Sequence, residues 1–199
     1  MKKQIWIAIA GMVFIGLTGC KTTKVDYAEP VSATPLTTDF SFSDVNFVAN
    51  DMVDSMLISP ATVAITQDRR PLVVVDRIRN KTDQHIDTES ITDTIRTQLI
   101  RSGKFRFTDK VTRADQKEEL EYQNYSGMVD PNNKADIGKQ YGAEYMVTGS
   151  IVSYVERNSK VLRKSYKFNL ILTNIQTGVI EWSDEVPITK QQTRSTFGR

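Results

Sequence analysis

One cysteine and one histidine in 199 residues leave this sequence without the ligands for a Cys/His metal cluster and without a partner thiol for a disulfide. A cysteine–histidine couple would have to use Cys20 and His85. Phosphate-cradling loops are missing as well. The glycines at 103, 127, 138, 142, 149 and 178 fall at element ends or within a strand, with no G-x-G-x-x-G and no Walker lysine. No apolar run reaches the ~20 residues that a membrane-crossing helix needs. Charge of one sign is also lacking: 26 Lys and Arg face 24 Asp and Glu, and setting aside Lys2 and Lys3 leaves 24 against 24. Such a balance excludes a generic polyanion binder, whose affinity rests on uncompensated cations, and so argues against nucleic acid as a partner. What is present, 39% hydrophobic and 25% charged residues, fits one globular domain with tails rather than a disordered chain or a multidomain enzyme.

The first residues read as an address. Lys2 and Lys3 form a basic start, Ile5 to Gly16 a short apolar run, and Leu17-Thr18-Gly19-Cys20 follows at once, the tripartite layout of a secretory signal. The tetrapeptide resembles a bacterial lipobox. That resemblance implies cleavage before Cys20, a diacylglyceryl thioether on its sulfur and an acylated amine. At ~0.8 kcal/mol per buried methylene, three chains hold a protein on a membrane essentially permanently. Lys21 stands where an Asp would favour inner-membrane retention, so outer-membrane sorting is implied, with the protein on the periplasmic face. Residues 1–19 are therefore expected to be a signal peptide, and 20–38 the lipidated Cys and a flexible polar tether carrying Pro30 and Pro35. Residues 39–199 are expected to form a single α/β domain.

Within that domain, Asp44 is placed to cap a helix in which Val45, Val48, Met52, Val53 and Met56 recur at helical spacing, ending near Pro60. The β-branched run Leu72 to Val75 predicts a central strand covered on both faces. Asp87 or Thr88 then caps a helix with the stripe Ile91, Ile95, Leu99, and Gly103 supplies its exit. Phe105 to Thr108 predicts a short strand, Thr112 to Tyr122 a charged helix, and Lys134 to Tyr141 a further helix closed by Gly142. From Tyr145 the period is two. Tyr145, Val147, Gly149 and Ile151 share one face of a strand, and Tyr166, Phe168, Leu170 and Leu172 one face of the next, with a mostly wet face opposite. Gln176-Thr177-Gly178 turns into a strand over Val179 to Trp182. The fold class is α/β: a mainly antiparallel sheet of about four strands flanked by helices.

Catalytic chemistry finds no footing. His85 lies in a polar loop with no nucleophile motif beside it, and Glu118, Glu119 and Glu121 read as a charged helix face rather than an acid/base pair across a cleft. No enzyme, cofactor or metal site is expected. One local feature stands out: Arg157, Lys160, Arg163 and Lys164, then Lys167, with Glu156 the only acid between 156 and 167, make a basic hairpin led into by Tyr154. Arg and Tyr are favoured at interface centres. Positive residues also blunt strand edges, a competing explanation. Arg77 and Arg79, leaving the central strand, are a second candidate surface, or simple loop charges.

Three segments together with the lipobox carry a family resemblance: Leu72 to Asp109 (LVVVDRIRNKTDQHIDTESITDTIRTQLIRSGKFRFTD), Gly142-Ala143-Glu144-Tyr145 and Leu170 to Trp182 (LILTNIQTGVIEW). The chain resembles the LpoB-type penicillin-binding protein activators. The resemblance implies a small α/β sandwich similar to the N-terminal domain of TolB. It also implies an outer-membrane lipoprotein, a monomer, that binds an accessory domain of a bifunctional class A penicillin-binding protein of the 1B type. Through that contact it would stimulate glycan polymerisation and crosslinking in peptidoglycan synthesis. The eighteen-residue tether is shorter than the Pro-rich linkers of enterobacterial members. The segment Gln116 to Asn133 and the tail Lys190 to Arg199 read as extra length beyond the pattern of that resemblance. Two other readings compete: a secretion component resembling the curli transporter CsgG, which would need apolar-out membrane strands, and a generic envelope adaptor lipoprotein.

Overall fold

The structure, a computed structural model, describes residues 37–194. The signal segment, Cys20 and all but the last two residues of the tether lie outside the described residues. The chain runs α1 (Phe42–Ile58), α2 (Pro60–Thr66), β1 (Leu72–Val75), β2 (Arg79–Lys81), α3 (Thr88–Arg101), β3 (Arg106–Phe107), α4 (Arg113–Tyr125), β4 (Tyr145–Arg157), β5 (Val161–Asn174) and β6 (Ile180–Thr193).

The helices form where caps and apolar stripes coincide. α1 starts earlier than Asp44. Its N-cap is Ser41, and Asp44 is the acid of a capping box, its carboxylate accepting from the Ser41 backbone N–H at 2.7 Å and from the Ser41 hydroxyl at 2.8 Å. The expected stripe, with Ala49 added, is buried. Pro60 ends nothing by itself; it is the first residue of α2, whose N-cap Ser59 accepts from the Thr62 N–H. α3 is capped by Asp87, which accepts from the N–H groups of Glu89 and Ser90, and buries Ile91, Thr92, Ile95 and Leu99. The expected helix over 134–141 is absent. Gly138 takes φ +80° and Asp130 closes a turn at Asn132, while Ile137 and Tyr141 stay exposed, so no buried stripe supports helix there.

The sheet has six strands rather than about four: β3 falls within the short strand expected over Phe105 to Thr108, whereas the three-residue β2 is too short to announce itself in the sequence. Its order is β3-β1-β4-β5-β6, with β2 beside the far half of β4. The contacts of β1 with β3 and β4, and of β2 with β4, are parallel, whereas β4, β5 and β6 form a long antiparallel meander. β1 is interior and buried throughout, as its apolar run predicts. β6 runs far beyond Trp182. Asp184, Pro187 and Lys190 interrupt its apolar alternation, hiding eleven residues of strand from a reading by pattern.

Helices α1 and α3 cover one face of this sheet. The core between them holds Val48, Met52, Ile95 and Leu99 from the helices, and Val147, Ile151, Tyr166, Phe168, Leu170 and Leu172 from the strands. Gly149 occupies a core-facing position because there is no room for more: a Cβ there would sit 2.5 Å from the Asn169 carbonyl oxygen and 2.9 Å from Ile78.

At the end of this core, Lys190 of β6 is buried. Its ammonium contacts the Asp44 carboxylate and donates to the Asp39 carbonyl at 2.8 Å and the Ser41 hydroxyl at 3.3 Å. The charge is thus fully paired, and one side chain joins the last strand to the first helix cap. Removing one member of a buried pair strands the other, at a typical cost of ~3–5 kcal/mol. Lys190→Met should lower stability by about that amount in urea unfolding, whereas an unchanged midpoint would show that the pair holds nothing together.

Candidate functional site

Strand alternation sorts the candidate residues by face. The core-facing set of β4 and β5 is odd-numbered on one strand and even-numbered on the other, as the register Ile151↔Phe168 requires. The opposite face therefore carries Thr148, Ser150, Val152, Tyr154 and Glu156 of β4, beside Ile171, Asn169, Lys167, Ser165 and Arg163 of β5. β6 continues it with Glu185, Pro187, Thr189 and Gln191. β2 adds Arg79 and Lys81, paired in parallel with Ser150 and Val152. Among the described residues, α1, α2 and α3 pack on the other side, so this stretch of sheet is an open surface.

Tyr154, Arg163 and Arg79, expected from two separate segments, thus share one face. Tyr154 is 60% exposed. Arg163 donates to Gln191 Oε1 at 2.9 Å and pairs loosely with Glu156 at 3.4 Å, and Lys167 pairs with Glu185 at 3.1 Å. Arg79, Lys81, Arg163 and Lys167 outnumber Glu156 and Glu185, so the face is mildly basic and rich in hydroxyls, with partly covered Val152 and Ile171 among them.

The basic hairpin is not one patch. Lys164 points to the opposite side, where it pairs with Asp39 and is only 17% exposed. Arg157 is exposed at the end of β4 before the turn. Arg77 lies at the start of α3's layer, in a 3.4 Å pair with Glu89. Lys81 and the β6 contribution were missed. The Arg79-Asn80-Lys81 alternation was the available signal for the first, while the second needed strand β6 to be seen past Trp182.

Lys164 instead helps pin the chain's entry into the domain. The Tyr166 hydroxyl donates to the Thr38 carbonyl at 3.1 Å and to Gln84 Oε1 at 2.8 Å, and its ring meets that of Phe40 edge to face at 5.5 Å. Burial pushes the Tyr166 hydroxyl above its ordinary pKa. The hydrogen bond from Lys164 holds the Asp39 carboxyl below the usual carboxylate range, and Lys164 is raised in return. Asp76 is lowered by its hydrogen bond from Lys110, and Glu144 by those from Arg69 and the Leu72 N–H.

His85 is exposed in the loop before α3. Among the described residues no three His, Cys, Asp or Glu side chains converge as a metal site, and no helix is long and apolar enough to cross a membrane. What the open face offers is shape, hydrogen bonding and charge: a surface for binding.

The family model described as the peptidoglycan-synthase activator LpoB matches residues 44–188, from the first turn of α1 to well into β6. This chain belongs to the LpoB family. The penicillin-binding protein activator LpoB of Enterobacter sp. (strain 638) is 24% identical over 148 residues, which cover 74% of this chain and 62% of that protein. For the activator LpoB of Escherichia coli K12 the figures are 24%, 74% and 63%. The chain thus covers less than two thirds of the length of these LpoB relatives. The solved LpoB C-terminal domain from Escherichia coli is 23% identical, with 73% of this chain and 98% of that chain covered and a TM-score of 0.46. The α/β class expected from the sequence agrees with membership of the LpoB family.

The lowered carboxyl groups set a direction for acid stability. Unfolded, Asp39, Asp76 and Glu144 take up protons at higher pH than when folded, so the unfolded state binds more protons in that window. Stability should hold from pH 7 to about pH 5 and fall as the pH drops through about 4 and below. Lys164→Ala should flatten that fall. Urea midpoints across this range test it; a loss of stability beginning above pH 6 would contradict the assignment.

Proposed function

We propose that this chain is an outer-membrane lipoprotein of the periplasmic face that binds and activates a class A penicillin-binding protein of the 1B type, without doing chemistry itself. The observation that carries this reading is the family match over residues 44–188, which takes in elements from α1 to β6. Cys20 is the lipidation site of this reading, residues 1–19 the signal and 20–38 the lipidated Cys and tether, leading into a domain over 39–199. The eighteen residues after Cys20 extend to about 60 Å at ~3.5 Å each. The partner surface is the accessory domain of the synthase, met by a monomer of this chain.

The open sheet face is the docking surface in this reading, and Tyr154, Arg163 and Arg79 are its contact residues. Arg157, on the helix-side parity of β4, and Arg77, paired with Glu89 of α3, stay outside that contact set. Lys164 drops out of the contact set because its ammonium is committed to Asp39 on the opposite side. An activator of this kind works by binding the active synthase conformation more tightly than the resting one. A difference of ~1.4 kcal/mol gives roughly tenfold activation where the resting state dominates.

The test mixes the full lipidated chain with a purified 1B-type synthase in detergent and follows glycan polymerisation and crosslinking. Both rates should rise, by about tenfold for polymerisation. Arg163→Ala combined with Tyr154→Ala should remove most of the rise, since interface Tyr and Arg truncations often cost ~2 kcal/mol or more. Lys164→Ala should keep the rise while lowering thermal stability. A synthase whose rates are indifferent to the chain would overturn the reading.

A further inference from the structure

A groove of about 810 Å³ lies where α4 and the loop before β4 approach the sheet at β1 and β3. That volume is within the ~300–1,000 Å³ of pockets that hold small ligands. Leu72 and Val74, one residue apart on β1, share the same side of that strand and give the groove an apolar base, and Tyr141 lines it with an exposed ring. α4 has no buried residue, so the space beside it is not filled by its side chains.

The polar groups of the groove are arranged unevenly. Asp109 is occupied: it accepts from the Thr112 hydroxyl and from the backbone N–H groups of Val111 and Thr112. Arg113 has no ion-pair partner among the described residues, and neither has Arg106, whose guanidinium stands 5.5 Å over the Tyr141 ring. Thr108, also on the lining, holds the one buried side-chain polar atom among the described residues that has no hydrogen-bond partner. Such an atom calls for a ligand or a solvent contact. The β3 edge adds a rung. Arg106 and Thr108 donate inward to the carbonyls of Pro71 and Val73, so strand alternation turns the N–H and C=O of Phe107 outward. An extended peptide can pair there.

We propose that this groove binds a short wall peptide by its free carboxylate. The carboxylate pairs with Arg113, a fork that recognises carboxylates bidentately. The peptide backbone pairs with Phe107, and a small apolar side chain such as a methyl lies over Leu72 and Val74. The choice of a wall peptide rests on the function proposed above, which puts the domain against peptidoglycan. The volume favours a few residues over a folded partner.

The test titrates the full chain in detergent with a soluble disaccharide tetrapeptide released from peptidoglycan, with no synthase present, so its outcome is independent of whether the chain stimulates one. Calorimetry should show saturable binding. Arg113→Gln, a surface change on a helix without buried residues, should weaken it at least about tenfold, as should amidation of the peptide's carboxylates. Arg163→Ala, on the open face, should leave it unchanged. Absence of saturable binding, or equal affinity for Arg113→Gln, would overturn the proposal. Circular dichroism of Arg113→Gln identical to that of the parent keeps a folding failure from imitating the expected loss.

Discussion

A strand side chain has two directions to choose from, and along β4, β5 and β6 helices cover only one of them. Everything else follows from that asymmetry. Tyr145, Val147 and Ile151 of β4 and Tyr166, Phe168, Leu170 and Leu172 of β5 face α1 and α3, so the intervening residues form a second surface with no layer of their own. Gly149 shows how tightly the covered side is filled. A one-residue slip of register would exchange the two surfaces, burying Lys167 and Asn169 while exposing Phe168 and Leu170, so the core itself fixes which residues face outward.

The covered side is closed at one end by charge rather than by more hydrocarbon. Lys190 and Asp44 are both buried, and the pair shares its donors and acceptors with Ser41 and Asp39, so the first helix cap and the last strand are one structure. Phe40 and Thr38 meet Tyr166 beside it. The chain therefore enters the domain on the helix-covered side near the β4–β5 turn.

Much of the fold could be read from periodicity because the core is built from uninterrupted patterns: the stripe Ile91, Ile95, Leu99, the run Leu72 to Val75, and the alternation from Tyr145. The failures have physical causes of their own. β6 conceals its core face behind Asp184 and Lys190, polar residues that are buried or half-buried through partners distant in sequence, Ser55 and Asp44. The segment 134–141 has helical spacing but no layer to pack against, and Gly138 leaves the helical region. Arg79, Tyr154 and Arg163 were recognisable as single residues, yet their meeting on one surface depends on the parallel pairing of the three-residue β2, which no local pattern signals. Lys164 looked like its neighbour Arg163 in sequence and is separated from it by the pleat.

The account depends on a synthase meeting the uncovered face of the sheet rather than the helical layer. Photo-crosslinking residues placed singly at Ser150 on the open face, and at Thr97 on the outer side of α3, measure that directly in a mixture of the full chain with a 1B-type synthase. The account predicts a crosslinked complex from position 150 and none from position 97. Crosslinks from position 97 alone would contradict it.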